Sequence, residues 1–195
     1  MLRYFSNILA TIQKSVLSIN EQVFLKLVND CVNTLDSGHK VVASGLGKNV
    51  PVCDKFVGTM LSLGQSAGFM HTNTAVHGDL GMVRDGDLVI ILTKSGETVE
   101  SVYLTSLLEQ RNVHLWLLTF SSDSTLVREI SDSLILDLEH EGDMWNIVPN
   151  NSTAVNLIVL QGLALNIAQQ RGVTLNEFKK NHPGGYIGEQ LRDEK

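Results

Sequence analysis

Short, mainly apolar runs recur along the chain, at residues 41–44, 88–92, 113–119 and 133–138, and each is read as a strand, the run at 88–92 being rich in β-branched residues. A further short strand fits within residues 64–70, after a glycine turn. The run Leu-Val-Ile-Ile-Leu at 88–92 has no polar interruption, as expected of a central parallel strand buried on both faces. Between these runs the apolar positions change to helical spacing, over residues 52–63, 99–111, 125–130 and 154–171. Ahead of the first strand, Ile8, Ile12, Val16 and Ile19 form one stripe, and Val23, Leu27, Val28 and Cys31 form another. Two helices broken near residues 18–21 and stopped by Asp36-Ser37-Gly38 are the natural reading. A last short helix closes at residues 177–180, where His182-Pro183-Gly184-Gly185 stops it. Strand alternating with helix predicts an α/β fold with a doubly wound parallel sheet. No linker or repeat divides the chain, so one domain over 1–195 is expected, with two N-terminal helices over 1–38 and the wound core over 39–195.

Composition narrows the function classes. The 195 residues are 43% hydrophobic, enough for one substantial core. A formal charge of −6, with acids spread along the chain, argues against a nucleic-acid surface. The two cysteines, Cys31 and Cys53, have neither metal-ligand nor C-x-x-C spacing, so each reads as a small core residue. No apolar run approaches the roughly 18 to 20 residues that span a bilayer, and the N-terminus lacks a secretion signal. A cytoplasmic protein free of membrane is the expectation.

Candidate chemistry gathers where strands end. After residue 92 the chain reads Thr93-Lys94-Ser95-Gly96-Glu97-Thr98, a hydroxyl-rich turn leading into a helix, where backbone amides can hold an anion such as phosphate. After the first strand, Gly45-Leu46-Gly47-Lys48-Asn49 matches neither a dinucleotide fingerprint nor a P-loop in spacing. It remains a tight turn that aims Lys48 at the crevice where open α/β sheets bind ligands. His71 and His77 stand six residues apart, which is not the spacing of a helical metal pair. Ser152 and Thr153, after Pro149, can cap the long helix, touch an anion, or do both. His182 on its Pro-Gly-Gly turn is held more firmly than an arbitrary surface histidine.

Four segments in this order, Ser44-Gly-Leu-Gly-Lys48, His77-Gly-Asp-Leu-Gly81, Ser95-Gly-Glu-Thr98 and His182-Pro-Gly-Gly185, resemble the sugar isomerase (SIS) domain, and within it the arabinose-5-phosphate isomerases. The resemblance implies a three-layer α/β/α sandwich with a five-stranded parallel sheet, assembled as a homotetramer with sites shared between subunits. It also implies interconversion of D-ribulose 5-phosphate and D-arabinose 5-phosphate for Kdo synthesis, in lipopolysaccharide or capsule. Carried over by position, the catalytic group is Lys48, Glu97, Glu141 and His182. The phosphosugar contacts are Ser44, Gly64, Gln65, His77, Ser95, Thr98, Ser152 and Thr153. His71 matches a position where relatives can bind zinc, a metal the reaction does not require, and no other cofactor is implied. Two departures stand out: the usual Ser-Asn before Ser-Gly is Thr93-Lys94, and the usual Pro-Thr-Ser-Ser-Thr is Pro149-Asn-Asn-Ser-Thr153. The CBS pair that many relatives carry is not expected in a chain of this length.

An aldose–ketose isomerisation moves a proton between neighbouring carbons through an enediolate, and needs a base, a proton shuttle and a cation at the oxyanion. In the implied mechanism His182 or Glu97 is the carbon base, Glu141 assists proton movement, Lys48 faces the oxyanion and His77 opens the cyclic sugar. Two other readings share the scaffold: an isomerase of a different phosphosugar, such as a 6-phospho-3-hexuloisomerase, and a sugar-phosphate-sensing module without turnover.

Overall fold

The structure is a computed structural model and describes residues 2–192. Two helices come first, α1 (Leu2–Leu17) and α2 (Glu21–Asp36), with Asn20 accepting the Val23 amide to cap α2. Five strands follow: β1 (Val41–Gly45), β2 (Ala67–His71), β3 (Leu88–Leu92), β4 (His114–Thr119) and β5 (Asp132–Ile135). All pair in parallel, in the order β2-β1-β3-β4-β5. The connecting helices are α3 (Asn49–Ser62), α4 (Thr72–Ala75), α5 (Val99–Leu108) and α6 (Thr125–Glu129), with a 3-10 turn at Asp79–Met82. The chain continues through α7 (Asn151–Gln170), α8 (Leu175–Asn181) and α9 (Gly185–Arg192).

The sheet divides two apolar layers. On one face Val41, Ala43, Leu88, Ile90, Leu92, Trp116 and Leu118 meet side chains of α2, α3 and α7. On the other, Val42, Val89, Ile91 and Leu117 meet Leu104 and Leu108 of α5 and Leu126 of α6. Every residue of β1 and β3 is buried, as the unbroken apolar run requires. The expected three-layer α/β/α architecture is therefore observed.

Several boundaries moved. Helix α3 begins at Asn49, three residues before its expected start, because Pro51 falls in the first turn, where no intrahelical bond needs its missing N–H. Helix α7 likewise starts at Asn151, and β5 is shorter than expected. Helices α4 and α9 lacked an apolar stripe long enough to announce them. Contrary to expectation, α7 is long and apolar enough to cross a membrane by length and composition. It is instead the core helix of its layer, with Val155, Val159, Leu160, Leu163 and Ile167 buried against the sheet and its neighbours.

Candidate active site

The strand order reverses direction at β1. Its chain neighbour β2 lies on one side and β3 on the other, so α3 and α5 leave the sheet toward opposite faces and a crevice opens between them. A cleft of about 250 Å³ lies there, lined by Leu46, Gly47, Lys48, Asn49, Thr93, Lys94, Thr98, Ser101, Pro149, Ser152, Thr153 and Asn156. These residues belong to the first turns of α3, α5 and α7 or to the loops feeding them. Three helix N-termini thus converge, each turning the positive end of its dipole toward the cleft, while the first amides of α3 and α7 are already bonded: Asn49 and Val50 to the Leu46 and Gly47 carbonyls, Asn151 to the Glu141 carbonyl and Ser152 to the Glu141 carboxylate.

Local sequence dictates this convergence. Gly45 ends β1, and a Cβ there would stand 2.9 Å from the Asn49 Cβ and 3.0 Å from the Cys53 Sγ, so only glycine lets α3 fold back this tightly. Gly96 has φ +67°, and a Cβ there would collide with the Ser124 Oγ. Asn49 Nδ2 donates to the Leu92 carbonyl at 3.3 Å, and Asn49 Oδ1 accepts Asn156 Nδ2 at 3.1 Å, tying β3, α3 and α7 beneath the cleft. The buried Ser101 Oγ and Asn156 Oδ1 have no protein partner. Thr93 Oγ1 lies 3.3 Å from Thr98 Oγ1 and accepts the Gly96 amide at 3.3 Å, which shapes the hydroxyl turn.

Of the sequence-derived residues, Lys48, Thr98, Ser152 and Thr153 line the cleft. Glu141 lies directly behind it, fully buried. Burial pushes its carboxyl up. The Lys94 ammonium, the Ser152 hydroxyl and the amides of Ser152 and Asn150 outweigh that and hold it below the usual carboxylate range. Ser44 is buried at the end of β1, with its Oγ 3.1 Å from Thr72 Oγ1. Ser95 accepts the Glu97 amide, which keeps the turn closed. Glu97 itself does not line the cleft. Its carboxylate accepts the Thr125 amide at 2.7 Å and the Thr125 hydroxyl at 2.8 Å, capping α6, and these bonds lower its pKa. His71 and His77 stand at the same end of the sheet by the β2 edge, His71 accepting the Asn73 amide through Nδ1 and His77 exposed on the turn after α4. Among the described residues, the three metal-capable side chains that cluster are Asp30, His114 and Asp132, not His71, and Lys26 already bonds both of those aspartates.

Gly64, Gln65 and His182 lie at the opposite end. Helix α3 runs 14 residues, about 21 Å, from Asn49 at the cleft to Ser62, whose carbonyl accepts Asn181 Nδ2. Helix α7 runs 20 residues, about 30 Å, from Asn151 beside the cleft to Gln170, and Arg171 just after it bonds Gln65. One chain therefore does not bring His182 to Lys48. His182 is nonetheless well fixed: its ring stacks on Phe178 at 4.0 Å and its Nδ1 lies 2.8 Å from the Phe178 carbonyl. A carbonyl only accepts, so the neutral imidazole carries its proton on Nδ1 and a lone pair on Nε2. Sequence reading passed over Asn49, Ser101 and Asn156. Their signal was position, in the first two turns of the helices whose N-termini meet at the cleft.

This fold and cleft define a class: doubly wound α/β proteins with a polar crevice at the switch point of a parallel sheet. Comparison with known proteins is specific. The pattern of the SIS domain family matches residues 34–168, and the chain belongs to that family. The chain is 34% identical over 164 residues, 84% of its length, to the arabinose 5-phosphate isomerase KdsD of Pseudomonas aeruginosa, covering 50% of that protein. The chain spans about half the length of the curated relatives it matches. Among solved structures, an Escherichia coli CFT073 protein in complex with arabinose 5-phosphate is 30% identical, with a TM-score of 0.85 over 92% of this chain and 94% of that one. A putative phosphosugar isomerase involved in capsule formation, from Bacteroides fragilis, is 29% identical, with a TM-score of 0.88 over 95% of this chain and 99% of that one.

Proposed function

We propose that this chain is a phosphosugar aldose–ketose isomerase, interconverting D-arabinose 5-phosphate and D-ribulose 5-phosphate, with its site completed by other copies in a homotetramer. The observation that carries the reading is the near-full-length likeness to a protein solved with arabinose 5-phosphate bound. The cleft supports it physically: two lysines, several hydroxyls and three helix N-termini suit a phosphorylated, hydroxyl-rich ligand.

In this reading Lys48 stands beside the developing enediolate oxygen, where a fixed cation contributes most in a site shielded from water. The carbon base comes from a neighbouring copy. Glu141 is saturated and Glu97 is engaged at α6, whereas His182 carries its lone pair on Nε2. The imidazole takes the proton from the carbon beside the carbonyl and returns it to the adjacent carbon, while the hydroxyl proton moves between the two oxygens. No metal takes part in these steps, and zinc at His71 is an addition the chemistry does not need. The product feeds Kdo synthesis in the cytoplasm. A reducing compartment suits Cys31 and Cys53, both unpaired and buried, where burial pushes the Cys31 thiol up and the Cys53 thiol up to about 12.

The test is incubation of the purified protein with ribulose 5-phosphate in deuterated water, followed by NMR. Arabinose 5-phosphate labelled at the carbon next to the carbonyl is expected. Binding without label would make the chain a sensor, and label in a different sugar would change the substrate.

A further inference from the structure

Glu141 has no lone pair left for a sugar. Its Oε1 accepts the Lys94 ammonium at 2.5 Å and the Ser152 hydroxyl at 2.6 Å, and its Oε2 accepts the amides of Asn150 at 3.0 Å and Ser152 at 2.9 Å. Four donors fill the acceptor directions of a carboxylate. Three of them come from the start of α7 and move with it. The fourth, Lys94, arrives from the turn after β3, on the other wall of the cleft. It lines that cleft and keeps 45% of its side chain exposed, while that of Glu141 is 0% exposed.

An ammonium has three hydrogens and Glu141 receives one, so Lys94 retains donors for another anion. Lys48 and Lys94 both line the cleft, and among the described residues no carboxylate does. A buried carboxylate that cannot move is an anchor for a flexible side chain: it removes the rotamer freedom that a lysine otherwise loses on binding.

Resting on the phosphosugar reading above, we infer that Lys94 is a ligand for the phosphate of the substrate, and that Glu141 is a positioning residue that works through it. Glu141 holds the ammonium in place instead of carrying a proton to or from the sugar.

Lys94→Asn tests this, since it keeps a donor for Glu141 and deletes the charge. The KM for arabinose 5-phosphate and the inhibition constant of inorganic phosphate should rise together by about ten- to a hundredfold, the worth of a charged hydrogen bond, with kcat changed much less. Lys94→Arg should recover part of both. Glu141→Gln should raise the same two constants, and in the Lys94→Asn background it should add little, as expected when one residue acts through the other. Unchanged constants in Lys94→Asn overturn the inference. So does a loss of about 100-fold or more in kcat when Glu141→Gln is added to Lys94→Asn, which would make Glu141 a proton carrier in its own right. Calorimetry with inorganic phosphate separates the two readings. Phosphate binding that depends on Lys94 in a protein without turnover upholds the anion ligand and refutes the isomerase.

Discussion

The two ends of the sheet use the same device for different purposes. At the amino end, the buried Asp87 accepts the Lys40 amide at 3.0 Å, the Lys40 ammonium at 2.6 Å and the Arg84 amide at 2.8 Å, which binds the start of β1 to the turn before β3. At the carboxyl end, Glu141 pairs with Lys94 at 2.5 Å. The lysines differ: 21% of the Lys40 side chain is exposed, against 45% for Lys94. Polarity differs more. Helices α3, α5 and α7 begin at the carboxyl end and finish at the amino end, so an anion meets positive dipole ends at the first and negative ones at the second. A lysine paired with a buried carboxylate is a fastening wherever it occurs, and the helix polarity around it decides whether it also serves a ligand.

The sharpest way to break this contrast is to disable one residue from each end. Lys48→Met, at the cleft, should cut kcat by about 100- to 1,000-fold. His182→Asn, at the far end, should cut it by about 100- to 10,000-fold. Both variants should melt at the wild-type temperature. Co-expression of the two should return measurable activity, because a site drawing Lys48 from one copy and His182 from another finds both intact in some mixed oligomers. Absence of recovery would leave the two ends functionally separate.

Next in size is the turn that carries Thr98. Gly96→Ala places a side chain at φ +67° and against Ser124 Oγ, and should destabilise the protein by about 2 kcal/mol or more in urea titration, with a matching rise in KM. A variant as stable as the wild type would show that the turn yields.

The smallest effect should appear in acid. Burial raises the Asp87 carboxyl, but its bonds to the Lys40 ammonium and the Arg84 and Lys40 amides lower it further, and the net shift is downward. A carboxyl lowered by folding stabilises the protein above its unfolded value of about 4, and that contribution disappears as pH falls through the folded value. Asp87→Asn should therefore lower the urea midpoint at pH 7 and flatten its decline below about pH 4, with KM unchanged. Glu141→Gln should flatten the same limb while raising KM.

Much of this was legible in the sequence. The runs at β1, β3 and β4 announced buried parallel strands, and Lys48 and Ser152 fell at strand and helix ends, where the topology alone brings them to one crevice. What escaped depends on tertiary distance. Lys94 and Glu141 are 47 positions apart, and nothing local indicates that one ends on the other. Glu97 reads as a free acid in its motif, yet the start of α6 captures it through Thr125. His182 was correctly seen as a firmly held turn residue, but the sequence does not say which end of the sheet it occupies. Helix α9 was hidden because Gly184-Gly185 reads as a stop, whereas Gly185, at φ +71°, is the first residue of a new helix.

Helix α7 imposes a constraint of its own. Its first turn helps build the cleft and the residue after its last turn holds Gln65, with no break between them. Adding or deleting one residue within it would rotate one end against the other by about 100° and shift it by about 1.5 Å. Surface loops in general tolerate changes of length; this rod is confined to substitutions, and its span works as a fixed ruler.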